Sequence, residues 1–359
     1  MFNHQADTAF ILGAGFSAES KLPVTGEFAR ALFDGAFGQE LDEVITQALK
    51  EFLAECFRWK ENDPIPSFED MFTMIDISAG SGHNLGRAFA PKRLRAIRRM
   101  LINRLFAILD LRYEPSINIR KILDKFVRKP NKSHFVVLNW DVVLENHLYD
   151  YLPEASVDYC VDISPWDGTD YPQGAQKVGI AKIHGSSSWV YCDNCRSLFF
   201  GQHGKLALMI RAGLLKADFR LFNESFTNTK FDGALGISPA TRSCRNCQTL
   251  VGPHIATFSF RKSFRTQAFT SSWLAAEQIL TQAKKWIFLG YSLPDADFEF
   301  KNLLKTCQLK RNDKTKYPKK ITVVTLTSPD VESRFRAFFG SDVDTVIQDG
   351  IAGYAATLP

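Results

Sequence analysis

Two apolar patterns alternate along this chain. Short unbroken runs have the length of buried strands: Thr8–Leu12, Phe135-Val136-Val137-Leu138, Trp286-Ile287-Phe288-Leu289 and Ile321-Thr322-Val323-Val324-Thr325-Leu326. Lys182-Ile183 closes another short strand, and Thr345-Val346-Ile347 reads as a last one. Elsewhere apolar residues recur at helical spacing, as in Leu41-Val44-Ile45-Ala48-Leu49-Phe52 and Leu94-Ile97-Leu101-Leu105-Ile108. Helices are also predicted over 142–149, 272–284, 297–309 and 330–339. Residues 27–127 are rich in helix formers, broken at Pro64-Ile65-Pro66, and read as a helical insertion or lobe. Strands alternating with helices predict an α/β protein with a doubly wound parallel sheet. In such sheets ligands bind outside the carboxyl ends of the strands. Gly13, Asn139, His184 and Gly290 each follow a predicted strand, which argues for one shared site.

Composition narrows the class without naming an activity. With 359 residues, 45% hydrophobic and 23% charged, the chain reads as a globular protein of about two domains. Thirty Phe against nine Tyr suggests core filler. No stretch approaches the ~18 apolar residues of a membrane span. The apolar run 9–18 reads as a strand entering a glycine turn rather than a signal peptide, so a cytoplasmic protein without a membrane partner is expected. The net charge of +5 is concentrated in two clusters, 92–104 and 310–320. Each reads either as a solvated helix face or basic loop, or as a surface for an acidic partner or nucleic acid; no nucleic-acid motif accompanies them.

Candidate chemistry lies in five motifs. Gly13-Ala14-Gly15-Phe16-Ser17 is a glycine turn that can bring backbone amides close to a phosphate, although any strand–helix turn uses glycine. Asn139-Trp140-Asp141 offers an Asn at a strand end, a common cap position. Lys182-Ile183-His184-Gly185-Ser186 carries a His able to accept a proton near neutral pH. Cys192 and Cys195 pair with Cys244 and Cys247 in two Cys-x-x-Cys units, a donor set for a closed, structural thiolate zinc site. A redox pair is the alternative, but no thioredoxin-like context surrounds either unit. Cys56, Cys160 and Cys307 are isolated and read as buried thiols of a reducing compartment. Gly290-Tyr291-Ser292-Leu293-Pro294-Asp295-Ala296-Asp297 follows a strand as a loop and helix cap.

In this order the motifs resemble the sirtuin superfamily, and the Lys-x-His-Gly-Ser form resembles its bacterial anti-phage NAD-hydrolase branch. The resemblance spans residues 8–326 and is weakest in the helical block. It implies a Rossmann-like doubly wound parallel sheet with a helical insertion and a small zinc-binding module. The implied domains are 1–26, 132–190 and 252–359 for NAD binding, 27–131 for the insertion and 191–251 for zinc. It implies NAD as substrate and structural Zn2+ on Cys192, Cys195, Cys244 and Cys247. It implies catalytic roles for Asn139, His184 and Asp141. NAD contacts would come from Gly13, Ala14, Gly15, Phe16, Ser17, Pro23, Asn139, Asp141, Gly290, Ser292 and Asp295. Glu145 matches an acidic residue of the same branch.

Two departures bear on the reaction. Deacylating sirtuins follow the glycine turn with Gly-Ile-Pro-Asp-Phe-Arg, where this chain has Lys21-Leu22-Pro23-Val24-Thr25-Gly26-Glu27-Phe28. They also carry Phe-Gly-Glu after the zinc module, where this chain has Phe258-Ser259-Phe260. The expectation is therefore an NAD hydrolase releasing nicotinamide and ADP-ribose. It would act in anti-phage defence, gated by a homo-oligomer or by a partner such as a DNA-translocating ATPase. A protein deacylase or ADP-ribosyltransferase, and a non-catalytic NAD-binding module, are the alternatives.

Overall fold

The buried apolar runs become one parallel sheet. The protein is seen in a computed structural model that describes residues 7–23, 32–33, 39–128, 133–152, 155–166, 176–201, 213–226, 231, 243–255, 267–295, 297–310, 320–326 and 328–359. Residues 24–28, 258–260 and 311–319, which carry several of the sequence arguments, lie outside the described residues. The strands are β1 Thr8–Leu12, β2 Ser133–Val137, β3 Ala155–Asp158, β4 Ser164–Pro165, β5 Gln176–Lys182, β6 Gly185–Tyr191, β7 Leu198–Phe200, β8 Gly252–Ile255, β9 Lys285–Leu289, β10 Lys320–Val324 and β11 Val343–Ile347. Seven of them form the main sheet in the order β11-β10-β9-β1-β2-β5-β3, and its neighbouring strands run parallel.

This order is Rossmann-like. From β1 the chain builds outward to β2 and β5 on one side, then returns to build β9, β10 and β11 on the other. The strand order therefore reverses between β1 and β9, where doubly wound sheets open their ligand crevice. The chain divides into two compact units, one of residues 1–22, 113–186 and 264–359, the other of 23–112 and 187–263.

In the first unit, alternate residues of each strand face opposite layers. Ala9, Ile11, Val136, Phe288, Ile321 and Val323 pack with the helices Gln267–Gln282, Phe298–Leu309 and Pro329–Phe339. On the other face Phe10 stacks on Phe135 at 5.3 Å and meets Phe126 of the helix Ile117–Phe126 edge-on at 5.0 Å. The sequence reading assigned this helix to the insertion. Its contact with Phe10 instead makes it part of the sheet's own cover. Ser116 caps it by accepting from the amides of Asn118 and Ile119. The helix Gly350–Thr357 joins this layer through Tyr354, stacked on Phe126; the sequence reading had no element there.

The second unit contains the helices Gln39–Phe57, Phe68–Ser81, Pro91–Arg112 and Lys216–Arg220. Pro64-Ile65-Pro66 lies in irregular chain between the first two, as the sequence predicts. Four arginines of the basic cluster 92–104 are paired within the second unit. Arg93 bonds Glu51 at 3.1 Å and Arg98 bonds Asp76 at 2.8 Å. Arg99 grips Asp218 with two bonds, of 2.8 and 2.5 Å. Arg104, fully buried, bonds Asp42 and Thr46. These four arginines tie helices of the second unit together, while Lys92 and Arg95 remain exposed.

His147, in the helix Val143–Tyr151, couples that helix to the Ser116 cap. Its Nδ1–H donates to Val143 O at 2.7 Å and its Nε2 accepts from the Ser116 amide at 2.9 Å. Burial lowers its pKa, only partly opposed by the Val143 bond. A depressed imidazole pKa contributes stability that is present above the unfolded value of about 6.5 and lost as pH falls toward the folded one. Chemical denaturation between pH 7.5 and 5 should show that loss, and His147→Gln should flatten it.

Candidate functional site

Four strand ends lie level along the carboxyl edge of the sheet because their registers match. Leu12 pairs with Val137 and with Leu289, and Val137 pairs with Lys182. Gly13, Leu138, Ile183 and Gly290 therefore leave the sheet at one level. The turns after β1 and β9 interlock. Gly13 N donates to Leu289 O at 3.1 Å and Gly15 N to Gly290 O at 2.9 Å. Gly290 has φ +66°, and a Cβ there would sit 2.2 Å from Phe16 N. A Cβ on Gly13 would sit 2.6 Å from Gly290 O. These glycines thus serve a backbone-to-backbone approach, and the amides of Gly13 and Gly15 are spent on it. Ala14 is the exposed residue of the turn, and the helix it opens, Ala14–Ala18, is a single turn.

The loop after β2 is fastened to this turn. Asn139 Nδ2 donates to Gly13 O at 2.8 Å and to Ser17 Oγ at 2.7 Å. Ser17 Oγ donates in turn to Asp141 Oδ2 at 2.6 Å. Asp141 Oδ1 accepts from the Val143 amide at 3.0 Å, satisfying the start of the Val143–Tyr151 helix. Both Asp141 oxygens are thereby engaged by protein, and Asp141 is buried. That is the geometry of a support. His184, also buried, bonds Leu138 O through Nδ1 at 3.0 Å. Since a carbonyl only accepts, the proton sits on Nδ1 and Nε2 is the basic nitrogen.

The structure thus brings Gly13, Gly15, Phe16, Ser17, Asn139, Asp141, His184 and Gly290 to one edge of the sheet. Ser292 and Asp295 are exposed in the loop after β9, where Asp295 pairs with Lys301 at 3.3 Å. Tyr291 fastens the same loop by donating to Asp297 at 3.1 Å. Pro23 is buried and begins the second unit. The sequence reading assigned no role to Lys182, whose buried ammonium bonds Asp141 O and Glu145. A lysine ending an otherwise buried strand was the available signal.

In the second unit the four cysteines form a cluster whose sulfurs all lie within 4.8 Å of one another. Each pair is built alike. Cys192 N bonds Ser197 O and Arg196 N bonds Cys192 O; Cys244 N bonds Thr249 O and Gln248 N bonds Cys244 O. Arg196 and Gln248 both have φ +61°. Cys192 and Cys247 sulfurs are 3.4 Å apart, and Cys195 and Cys244 sulfurs 3.5 Å. A tetrahedral site with Zn–S of ~2.3 Å needs sulfurs about 3.8 Å apart, a small adjustment. Hydrogen bonds from Asn194 and Thr249 bring the Cys247 thiol down to about 5, while burial pushes Cys244 up to about 12. The donor set suits one structural zinc with no open position.

No protein-family model and no curated protein matches the chain. Among solved structures, one described as "Sir2-p53 peptide-NAD+" shares 15% identity over 97% of this chain and 90% of its own, with a TM-score of 0.43. Another, "The Structural basis of Sirtuin Substrate Affinity", shares 13% over 98% and 92%, with a TM-score of 0.44. At such identity and TM-score the likeness decides nothing about the site; the geometry of the residues has to.

Two outcomes are expected. Elemental analysis should find about one zinc per chain, and Cys192→Ser or chelation should lower the melting midpoint; a zinc-free protein of full stability would refute the site. Gly290→Ala should cost more than about 2 kcal/mol, from strain plus backbone overlap. Gly82→Ala, at φ +76° with nothing within 4 Å of the new Cβ, should cost only about 1 kcal/mol. Denaturant midpoints measure both, and equal losses would remove the close-approach argument.

Proposed function

We propose that this protein is an NAD glycohydrolase, cleaving the nicotinamide–ribose bond with water to give nicotinamide, ADP-ribose and a proton. The observation that carries the reading is the hydrogen-bonded chain Gly13–Asn139–Ser17–Asp141 beside His184, at the point where the strand order reverses. The dinucleotide would lie across the interlocked turns, with Gly13, Ala14, Gly15, Phe16 and Ser17 toward the pyrophosphate and Gly290, Ser292 and Asp295 toward the adenosine side.

Nicotinamide leaves as a neutral pyridine, so positive charge grows on the ribose in the transition state. With its Nδ2 committed to Gly13 and Ser17, Asn139 would turn Oδ1 toward a ribose hydroxyl or the attacking water. His184 Nε2 would take the proton from that water or hydroxyl. Asp141 holds Ser17, and through it the Asn139 amide. Fixed donors and acceptors of this kind lower a barrier because they need no reorganisation as charge develops.

The missing Asp-Phe-Arg and Phe-Gly-Glu elements favour water over an acyl-lysine as the acceptor. By its resemblance the protein would deplete NAD in phage-infected bacteria, gated by self-assembly or by a partner such as a DNA-translocating ATPase.

Incubating the protein with NAD, with and without an acylated peptide, tests the reaction. Nicotinamide and ADP-ribose should appear without peptide, and expression should lower cellular NAD. His184→Ala should reduce turnover by roughly 10²–10⁴-fold, and Asn139→Ala should also suppress it; each removes hydrogen bonds of the site and should lower stability modestly, on the order of 1–3 kcal/mol, with the fold retained by circular dichroism. Nicotinamide release that begins only when peptide is added would replace this reading with a deacylase. NAD binding with no turnover in any assembly state would replace it with a binding module.

A further inference from the structure

Three alternating residues, from the end of β5 through the turn into β6, each take a carbonyl of the loop that carries Asn139. Lys182 Nζ donates to Asp141 O at 2.5 Å, His184 Nδ1 to Leu138 O at 3.0 Å and Ser186 Oγ to Trp140 O at 3.4 Å. Lys182 differs from the other two in bringing a full charge. Its side chain is 0% exposed, and its ammonium also bonds Glu145 Oε1 at 2.9 Å, Glu145 being 2% exposed. Glu145 sits in the first turn of the Val143–Tyr151 helix, whose first amide is bonded by Asp141. One ammonium therefore holds the end of the Asn139 loop and the start of the helix that follows.

Stability alone is a poor reason for such a pair. Taking two charges out of water costs several kcal/mol each, and hydrophobic replacements of similar size are often as stable or more so. Glu145 Oε2 makes no hydrogen bond among the described residues, so desolvation here is incompletely offset. What apolar side chains cannot supply is a directional bond that holds the Asp141 carbonyl at one point. That carbonyl lies two residues from Asn139.

We propose that Lys182, with Glu145 as its counter-charge, is a positioning residue that holds the Asn139 loop in its reactive geometry. The inference rests on the NAD-cleavage reading for its kinetic consequence.

The test compares wild type, Lys182→Met and Lys182→Met/Glu145→Gln in the full chain. The single variant leaves a buried carboxylate uncompensated and should melt lower; the double variant should recover most of the midpoint. Turnover should not recover with it: kcat for nicotinamide release should stay down roughly ten- to a hundredfold, the scale of a small misplacement of a reacting group, with KM for NAD little changed. Hydrogen exchange in the absence of NAD should quicken at amides 139–143 of the double variant and stay unchanged in β1 and β9. A double variant that melts and turns over like wild type, or whose loop exchanges at the wild-type rate, overturns the proposal. Should Glu145→Gln fail to restore folding, Lys182→Met/Glu145→Leu is judged by the same two criteria. If wild type itself releases no nicotinamide, the NAD reading fails separately, and the exchange rates still decide the positioning role.

Discussion

The carboxyl edge of the main sheet depends on how closely two peptide turns approach. The turn after β1 and the turn after β9 meet backbone to backbone, with Gly15 N bonded to Gly290 O and no room for a side chain on Gly13 or Gly290. This contact lies where the strand order reverses. It sets the floor on which the Asn139 loop is laid, because Asn139 bonds the carbonyl of Gly13 itself. A shift of either turn would move the acceptor that orients Asn139. Interiors are close-packed, so such a shift could not be absorbed locally.

Upon that floor the site is assembled from short polar side chains in a buried setting, where each must find a partner or cost stability. Asn139, Ser17 and Asp141 satisfy one another in series. Leu138, Trp140 and Asp141 give their carbonyls to His184, Ser186 and Lys182. The loop is consequently tied to both neighbouring strand ends, and its backbone has few places to move. Rigidity of this kind is what fixed donors and acceptors need in order to act without reorganising. The cysteine cluster in the second unit follows a different rule. Two knuckles built alike, each with one residue at φ +61°, bring four sulfurs together, and a zinc ion bound there would offset their close approach.

Much of the sheet could be read from the residues. The runs Ala9 to Leu12 and Trp286 to Leu289 are apolar throughout, as expected of strands buried on both faces, and the registers bring their ends level. The cysteine pairs were equally legible, since four thiols at that spacing have few other uses. Strands β3, β7 and β8 were not: only three or four residues long, they carry too little periodicity to be recognised. The helix Gly350–Thr357 was missed for a related reason, because its glycines and alanines weaken the apolar signal while Tyr354 supplies the contact that holds it.

The sequence by itself determined which residues end the strands, and hence that Gly13, Asn139, His184 and Gly290 share an edge. Only the tertiary structure decided what each does there. It made the glycines a contact between two turns, turned Asp141 into a support for Ser17, and paired four arginines of 92–104 with acids from other elements. The reason is physical. Strand ends follow from local apolar runs, whereas hydrogen bonds and ion pairs depend on partners more than a hundred residues away, such as Ser17 with Asp141 and Arg99 with Asp218. Those distances are set by register and packing, and no local pattern contains them.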